Sequence, residues 1–392
     1  VSLRHADPGP AALLDGVLHI GGLDVAALAR RVGRTPFYAY DSALIRARVA
    51  DLRQQLPPAL QLHYAMKANP LPAVVRLLAG LVDGVDVASA GELQQALDAG
   101  AAAADISYAG PGKRDAELHA AVAAGVLVNV ESPRELPLLA VAAQALGRPA
   151  RVAVRVNPDF ELRGAGMRMG GGAKPFGVDA EAVPALLAQI GGIPELAFEG
   201  FHLYAGSQNL RAEAVAEALR LGYELALRLA ADAPGPVRTL NLGGGFGIPY
   251  FPGERRLDLA PVAAQLSALV ERAARELPRA RLVLELGRYL VGEAGYYVTR
   301  VIDRKVSRGQ VFLVCDGGMH HHLAASGNFG QVIRRNYPVT AVTQAALPGT
   351  ETASVVGPLC TPLDLLADRM ELPVAQAGDL VVVFQSGAYG AS

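Results

Sequence analysis

Only two cysteines, Cys315 and Cys360, occur in 392 residues, so no disulfide framework staples this chain, and a reducing cytoplasm is the expected compartment. No run of about eighteen uncharged apolar residues is present, which argues against a membrane-spanning helix. Val1–Pro10 has no basic segment leading into an apolar one and does not read as a secretory leader. A charge excess is lacking too: 36 Lys and Arg stand against 37 Asp and Glu, a formal net charge of −1. Without a basic stripe interleaved with aromatics, nucleic acid is not an expected partner. His320-His321-His322 tempts a metal assignment, but three adjacent side chains cannot converge on one ion. No HExxH or paired-cysteine spacing accompanies them, so no metal is expected.

What the chain does have is alternation. Between 37 and 290, short apolar or β-branched runs alternate with longer Ala- and Leu-rich segments of helical period. Strands are expected at 61–66, 84–87, 106–108, 126–130, 151–156, 197–203, 239–242 and 282–285, with helices between them, one opening after a Ser89 cap. Eight strands with intervening helices over about 250 residues predict a (β/α)8 TIM barrel, with a doubly wound sheet as the open alternative because periodicity cannot close a ring. Past Leu286 the texture changes to short alternating runs between Gly- and Pro-rich turns, which predict an antiparallel β-domain. The expected division is a barrel over 37–290 and a β-domain from 1–36 and 291–392, with Val17–Ile20 as a candidate extra strand. The loop from Pro158 to Gly177 is long for a barrel connection and is expected to be functional.

Barrel enzymes work at the C-terminal ends of their strands. Polar residues fall there in series: Lys67, Asp86, Arg155 with Asn157, His202 and Tyr204, Gly243-Gly244-Gly245, and Glu285 with Arg288. Lys67 ends the run Leu62-His63-Tyr64-Ala65-Met66. Desolvated there, its amine gains access to the neutral form and can attack an aldehyde; an ordinary strand-end lysine would remain hydrated. The glycines after Asn241-Leu242 let backbone N–H groups wrap an anion, or form nothing more than a tight turn. Ser207 in Gly206-Ser207-Gln208 offers a hydroxyl at the preceding strand end. Glu285 could keep a pyridine nitrogen protonated, or pair with nearby Arg288. Cys360 carries a thiol on the loop Gly357-Pro358-Leu359-Cys360-Thr361-Pro362, where buried filler is the commoner role of a free cysteine.

Together these motifs resemble the fold-type III pyridoxal-phosphate decarboxylases, which include the diaminopimelate and ornithine decarboxylases. The likeness runs from Phe37-Tyr38-Ala39-Tyr40-Asp41 to Gly387-Ala388-Tyr389-Gly390. It implies pyridoxal 5'-phosphate as cofactor and Lys67 as the lysine of the internal aldimine. Asp86, Glu92, Arg155, His202 and Tyr204 would line the cofactor pocket. Ser207, Gly243, Gly244 and Gly245 would hold the phosphate with help from Arg288 and Tyr389, and Glu285 would pair with the pyridine nitrogen. Cys360 resembles the family cysteine that enters the partner's active site and helps reprotonate the substrate carbon, which implies a homodimer with shared sites. Arg288, Thr361 and Phe329 are the implied substrate contacts.

The departures from the family pattern bear on substrate. Thr361 stands where the family usually carries Asp or Glu for a distal ammonium, a loss of about 1.5 to 3 kcal/mol for a diamino substrate. Met319 to Phe329 holds no arginine for a distal carboxylate. Tyr204 aligns with the histidine that usually stacks on the ring, and His202 lies two residues earlier. Cys360-Thr361-Pro362-Leu363-Asp364 and Ser326-Gly327-Asn328-Phe329-Gly330-Gln331 are more similar to a divergent branch, the decarboxylases of exosortase-associated clusters and the glutamyl carrier-protein decarboxylase of butirosin biosynthesis. The expected substrate is an amino acid or carrier-tethered aminoacyl group without a distal ammonium. The alternatives are an amino-acid racemase of the same fold type and an inactive regulatory binding protein.

Overall fold

The computed structural model describes residues 5, 13–14, 17–160, 167–168, 170–328, 334–342 and 349–390. Its contacts divide the chain into two units, one of Ala47–Gly247 with Leu257–Gly287, the other of Val1–Arg46, Ile248–Arg256 and Arg288–Ser392.

The first unit is a closed parallel barrel. Its strands are β1 (Gln61–Ala65), β2 (Gly84–Val87), β3 (Ile106–Tyr108), β4 (Leu127–Val130), β5 (Ala150–Asn157), β6 (Leu196–Leu203), β7 (Thr239–Gly244) and β8 (Arg281–Leu286). Each pairs with the next, and β8 returns to β1 with Glu285 opposite His63. Closure excludes the doubly wound alternative. All residues of β2 and β4 are buried, as expected for strands covered on both faces. Local chemistry sets the helix ends. Ser89 caps the helix Ala90–Asp98 by accepting from the Glu92 N–H at 3.2 Å, and Glu92 reaches back to the Ala88 N–H at 2.7 Å. Gly125 and Gly147, both left-handed, stop the helices Asp115–Ala124 and Glu135–Leu146.

The second unit holds a seven-stranded sheet around the long strand Gly295–Ser307. Phe37–Tyr40, expected at the start of the barrel span, is instead antiparallel to Gly295–Val298. The sheet is mixed rather than wholly antiparallel, because Val311–Val314 runs parallel to Ala353–Val356. Val17–Ile20 is a strand, as expected, but it pairs within a separate three-stranded sheet with Leu13–Leu14 and Leu23–Asp24. Leu18 and Ile20 then bury against Tyr296, Val298, Leu380 and Val382, so this small sheet packs onto the larger one without extending it. Of the Pro158–Gly177 loop, 161–166 and 169 lie outside the described residues, while Met167–Arg168 pairs antiparallel with Gly206–Ser207. No helix among the described residues is long and apolar enough to cross a membrane.

Candidate active site

Barrel interiors are usually filled by branched aliphatic side chains. Here every strand contributes a buried polar residue: His63, Asp86, Ser107, Asn129, Arg155, His202, Asn241 and Glu285. They form hydrogen-bonded groups. Asp86 Oδ1 lies 3.3 Å from His63 Nδ1 and accepts from the Ser107 hydroxyl, and Ser107 Oγ accepts from Asn129 Nδ2 at 3.1 Å.

Lys67 follows β1 in the short 3-10 turn Met66–Ala68. Its Nζ is 3.5 Å from Glu285 Oε1 and 5.1 Å from the centre of the Tyr204 ring. Glu285 Oε2 is 3.0 Å from His202 Nε2 and 3.4 Å from Asn241 Nδ2. Burial opposes ionisation of Glu285, but the Lys67 charge and the His202 hydrogen bond outweigh it and hold the carboxyl well below its ordinary range. Lys67 is thus paired with a buried carboxylate while its own side chain stays 38% exposed, less desolvated than expected, and Glu285 is engaged by Lys67, His202 and Asn241.

Asn241 also ties this carboxylate to the glycine turn, since its Oδ1 accepts from the Gly243 N–H at 2.8 Å. Gly243 has φ +69, and a Cβ there would lie 2.6 Å from the Leu203 carbonyl oxygen, so both conformation and space demand glycine. The turn and the Ser207 segment adjoin: the Asn209 N–H donates to the Gly245 carbonyl at 3.0 Å, and the Gly247 N–H to the Asn209 carbonyl at 2.9 Å. Two backbone-rich turns therefore stand side by side, as the sequence predicts.

Arg155 NH1 donates to Glu131 Oε1 at 2.8 Å, and Glu131 Oε2 accepts from the Gly177 N–H at 3.0 Å. Burial again opposes the charge, yet Arg155 and Lys113 hold the Glu131 carboxyl below its ordinary range. Lys113 is paired with Glu135 at 3.1 Å, both almost fully buried. Glu92, assigned to the pocket by resemblance, is occupied in the helix cap, and burial raises its pKa despite the Ala88 N–H and the Lys67 charge.

The remaining expected residues lie in the second unit. Arg288 NH1 donates to the Tyr250 hydroxyl at 3.0 Å, and its guanidinium stacks on Tyr389 at 4.7 Å. Cys360 is exposed, so the buried-filler role falls to Cys315. Thr361 Oγ1 accepts from the Leu363 N–H at 3.3 Å. Asp364, buried, anchors this loop by accepting from the N–H groups of Met319 at 2.6 Å and Leu359 at 2.8 Å. His322 is buried, 2.9 Å from the Ser386 hydroxyl, and burial pushes its pKa down to about 3. That makes it a neutral packing group against Tyr38 and Tyr297. Phe329 lies outside the described residues.

Residues 42–292 match the family described as pyridoxal-dependent decarboxylase, pyridoxal binding domain. The chain belongs to the pyridoxal-dependent decarboxylases. It is 38% identical over 380 residues to L-glutamyl-[BtrI acyl-carrier protein] decarboxylase of Niallia circulans, covering 96% of this chain and 88% of the relative. It is 35% identical over 386 residues to diaminopimelate decarboxylase of Aquifex aeolicus, covering 96% and 87%. Among solved structures, diaminopimelate decarboxylase of M. jannaschii in co-complex with L-lysine superposes with a TM-score of 0.86 at 26% identity, covering 100% of this chain and 88% of that one. Membership selects decarboxylation over the racemase and the non-enzymatic alternatives.

The donors of this decarboxylase fit pyridoxal phosphate. A primary amine suits its aldehyde, an anionic carboxylate its ring nitrogen, and paired backbone-rich turns its phosphate. Asp86 Oδ2 and His202 Nδ1, both buried, have no hydrogen-bond partner among the described residues. His63, Asn241, Glu131 and Asp364 received no role from the sequence. Their one signal was a polar side chain interrupting an apolar strand run, or lying just beyond one.

Proposed function

We propose that this decarboxylase removes the α-carboxylate of an amino acid, or of an aminoacyl group tethered to a carrier protein, whose distal end carries no ammonium. The observation that carries this is the loop after Cys360. Thr361 is a neutral hydroxyl engaged with the Leu363 N–H. The next carboxylate along the chain, Asp364, is buried and spent on two backbone N–H groups, so it is no substitute acid. A distal ammonium would find no charged partner on this loop. The 38% identity to a glutamyl carrier-protein decarboxylase supports the same substrate class.

When bound, pyridoxal phosphate supplies an electron sink for the pair left as the α-carboxylate departs. The chain orients and holds charge around that event. Lys67 would provide the amine that holds the cofactor aldehyde until the substrate amine takes its place. Glu285, kept anionic by Lys67 and His202, would pair with the ring nitrogen and favour its protonated form. Ser207 and the turn of Gly243, Gly244 and Gly245 offer hydroxyl and N–H groups to the phosphate. The substrate C–C bond breaks, carbon dioxide leaves, and a proton from the Cys360 thiol completes the new C–H bond. Because Cys360 is exposed on the single chain, two copies share their sites in this scheme, one supplying the thiol to the Lys67 site of the other.

The test is carbon dioxide release by purified enzyme from glutamate, glutamyl carrier protein, meso-diaminopimelate and ornithine. The first two are expected to react faster. Faster turnover of either diamino substrate overturns the proposal.

A further inference from the structure

His63 is buried inside the barrel, and the reaction described above gives it no task. It stands between two carboxylates. Glu285 is its register partner across the β8–β1 ladder, and on the other side its Nδ1 is 3.3 Å from Asp86 Oδ1. The same Asp86 oxygen accepts from Ser107, which is steadied by Asn129. Room for the ring comes from Gly84, where a Cβ would run into the imidazole. The charged groups acting on it are Asp86 on β2, Glu285 on β8 and Asp83 just before β2, while Lys67 and His202 both contact Glu285. Burial disfavours a charge on His63, but Asp86, Glu285 and Asp83 outweigh it and raise its pKa.

Glu285 owes its ionised state first to the charge on Lys67. In the reaction proposed above Lys67 bonds the cofactor aldehyde and is later released, so its charge is not a constant support for the carboxylate. A further cation in the same layer would add to the support from His202 and a protonated ring nitrogen.

We propose that His63 is a positioning residue that stands between Asp86 and Glu285, orients the first and supports the charge of the second. This rests on the decarboxylase assignment of the Lys67 site. Two measurements test it. In an NMR titration of the full chain loaded with pyridoxal phosphate, the His63 ring is expected to stay protonated above the ordinary histidine value of about 6.5, and Asp86→Asn to lower its midpoint. A midpoint at or below that value, or one indifferent to Asp86→Asn, overturns the proposal. In the loaded His63→Asn variant, which keeps an N–H donor without the charge, the acid limb of kcat and the pH midpoint of the cofactor's visible absorbance are both expected to rise by about one unit. At neutral pH kcat should fall about tenfold with KM nearly constant. A merely structural His63 would lower the melting temperature and leave both midpoints in place, which also overturns the proposal. If His63→Asn does not fold, the NMR titration decides alone. Should no tested amino acid be decarboxylated, the NMR and absorbance titrations still report on His63, so the two failures are told apart.

Discussion

Lys67 and Glu285 meet at 3.5 Å because the eighth barrel strand closes onto the first, with Val283–Leu286 running parallel to Gln61–Tyr64. Neither residue alone specifies a site. Together they put an amine beside a carboxylate that remains anionic in a water-poor interior, where charge–charge effects are stronger than at a surface.

Replacing Lys67 with Ala is expected to abolish the cofactor's visible band above that of free pyridoxal phosphate. Turnover should fall by about 10³-fold or more. Absorbance spectra and single-turnover carbon dioxide release check both.

Glu285→Gln keeps the shape of the side chain and a hydrogen-bond acceptor for His202 while removing the charge. Turnover is expected to drop by about 10²-fold, with cofactor affinity changing much less. Equal losses in both would show that the charge serves binding and not the reaction.

Glu131 links Arg155 and Gly177, and its folded pKa lies below the unfolded value. Its stabilisation is therefore fully present above the unfolded carboxylate value of about 4.3 and is lost as pH falls through the folded value. Glu131→Gln should cost about 3 kcal/mol near neutrality, because Arg155 loses its buried partner. That deficit should shrink below about pH 4. Urea unfolding across this range measures it, and a constant deficit contradicts the assignment.

Thr361→Asp restores a negative charge next to Cys360. Its kcat/KM for a diamino substrate is expected to rise by about tenfold or more relative to glutamate, the scale of one charge-assisted hydrogen bond. An unchanged ratio would remove Thr361 from the substrate site.

Much of the barrel was legible because its signals are local. The eight strand runs, the Ser89 cap and the helices between them are read from period and capping chemistry, and each appears within a few residues of its expected place. The β-unit was less legible. Thr350–Val356 and Leu365–Pro373 carry no clean alternation, and Phe37–Tyr40 lies in sequence beside the barrel while its pairing partner begins at Gly295. As candidates, Lys67 and Glu285 could be named from strand-end position, and Cys360 from its loop and the family likeness. His63 and Asn241 could not, since a polar residue inside an apolar strand reveals itself only through the partner it meets.

By itself, then, the amino-acid sequence determined which segments are strands and helices, which reactive side chains sit at strand ends, and to which family the motifs point. Each of those follows from chemistry within a few residues of chain. Tertiary structure alone decided that the sheet closes, that Glu285 is held anionic between Lys67 and His202, that Asp364 is spent on its own loop, and that His63 lies between two carboxylates. Those outcomes depend on burial and on partners from distant strands, and no local pattern encodes them.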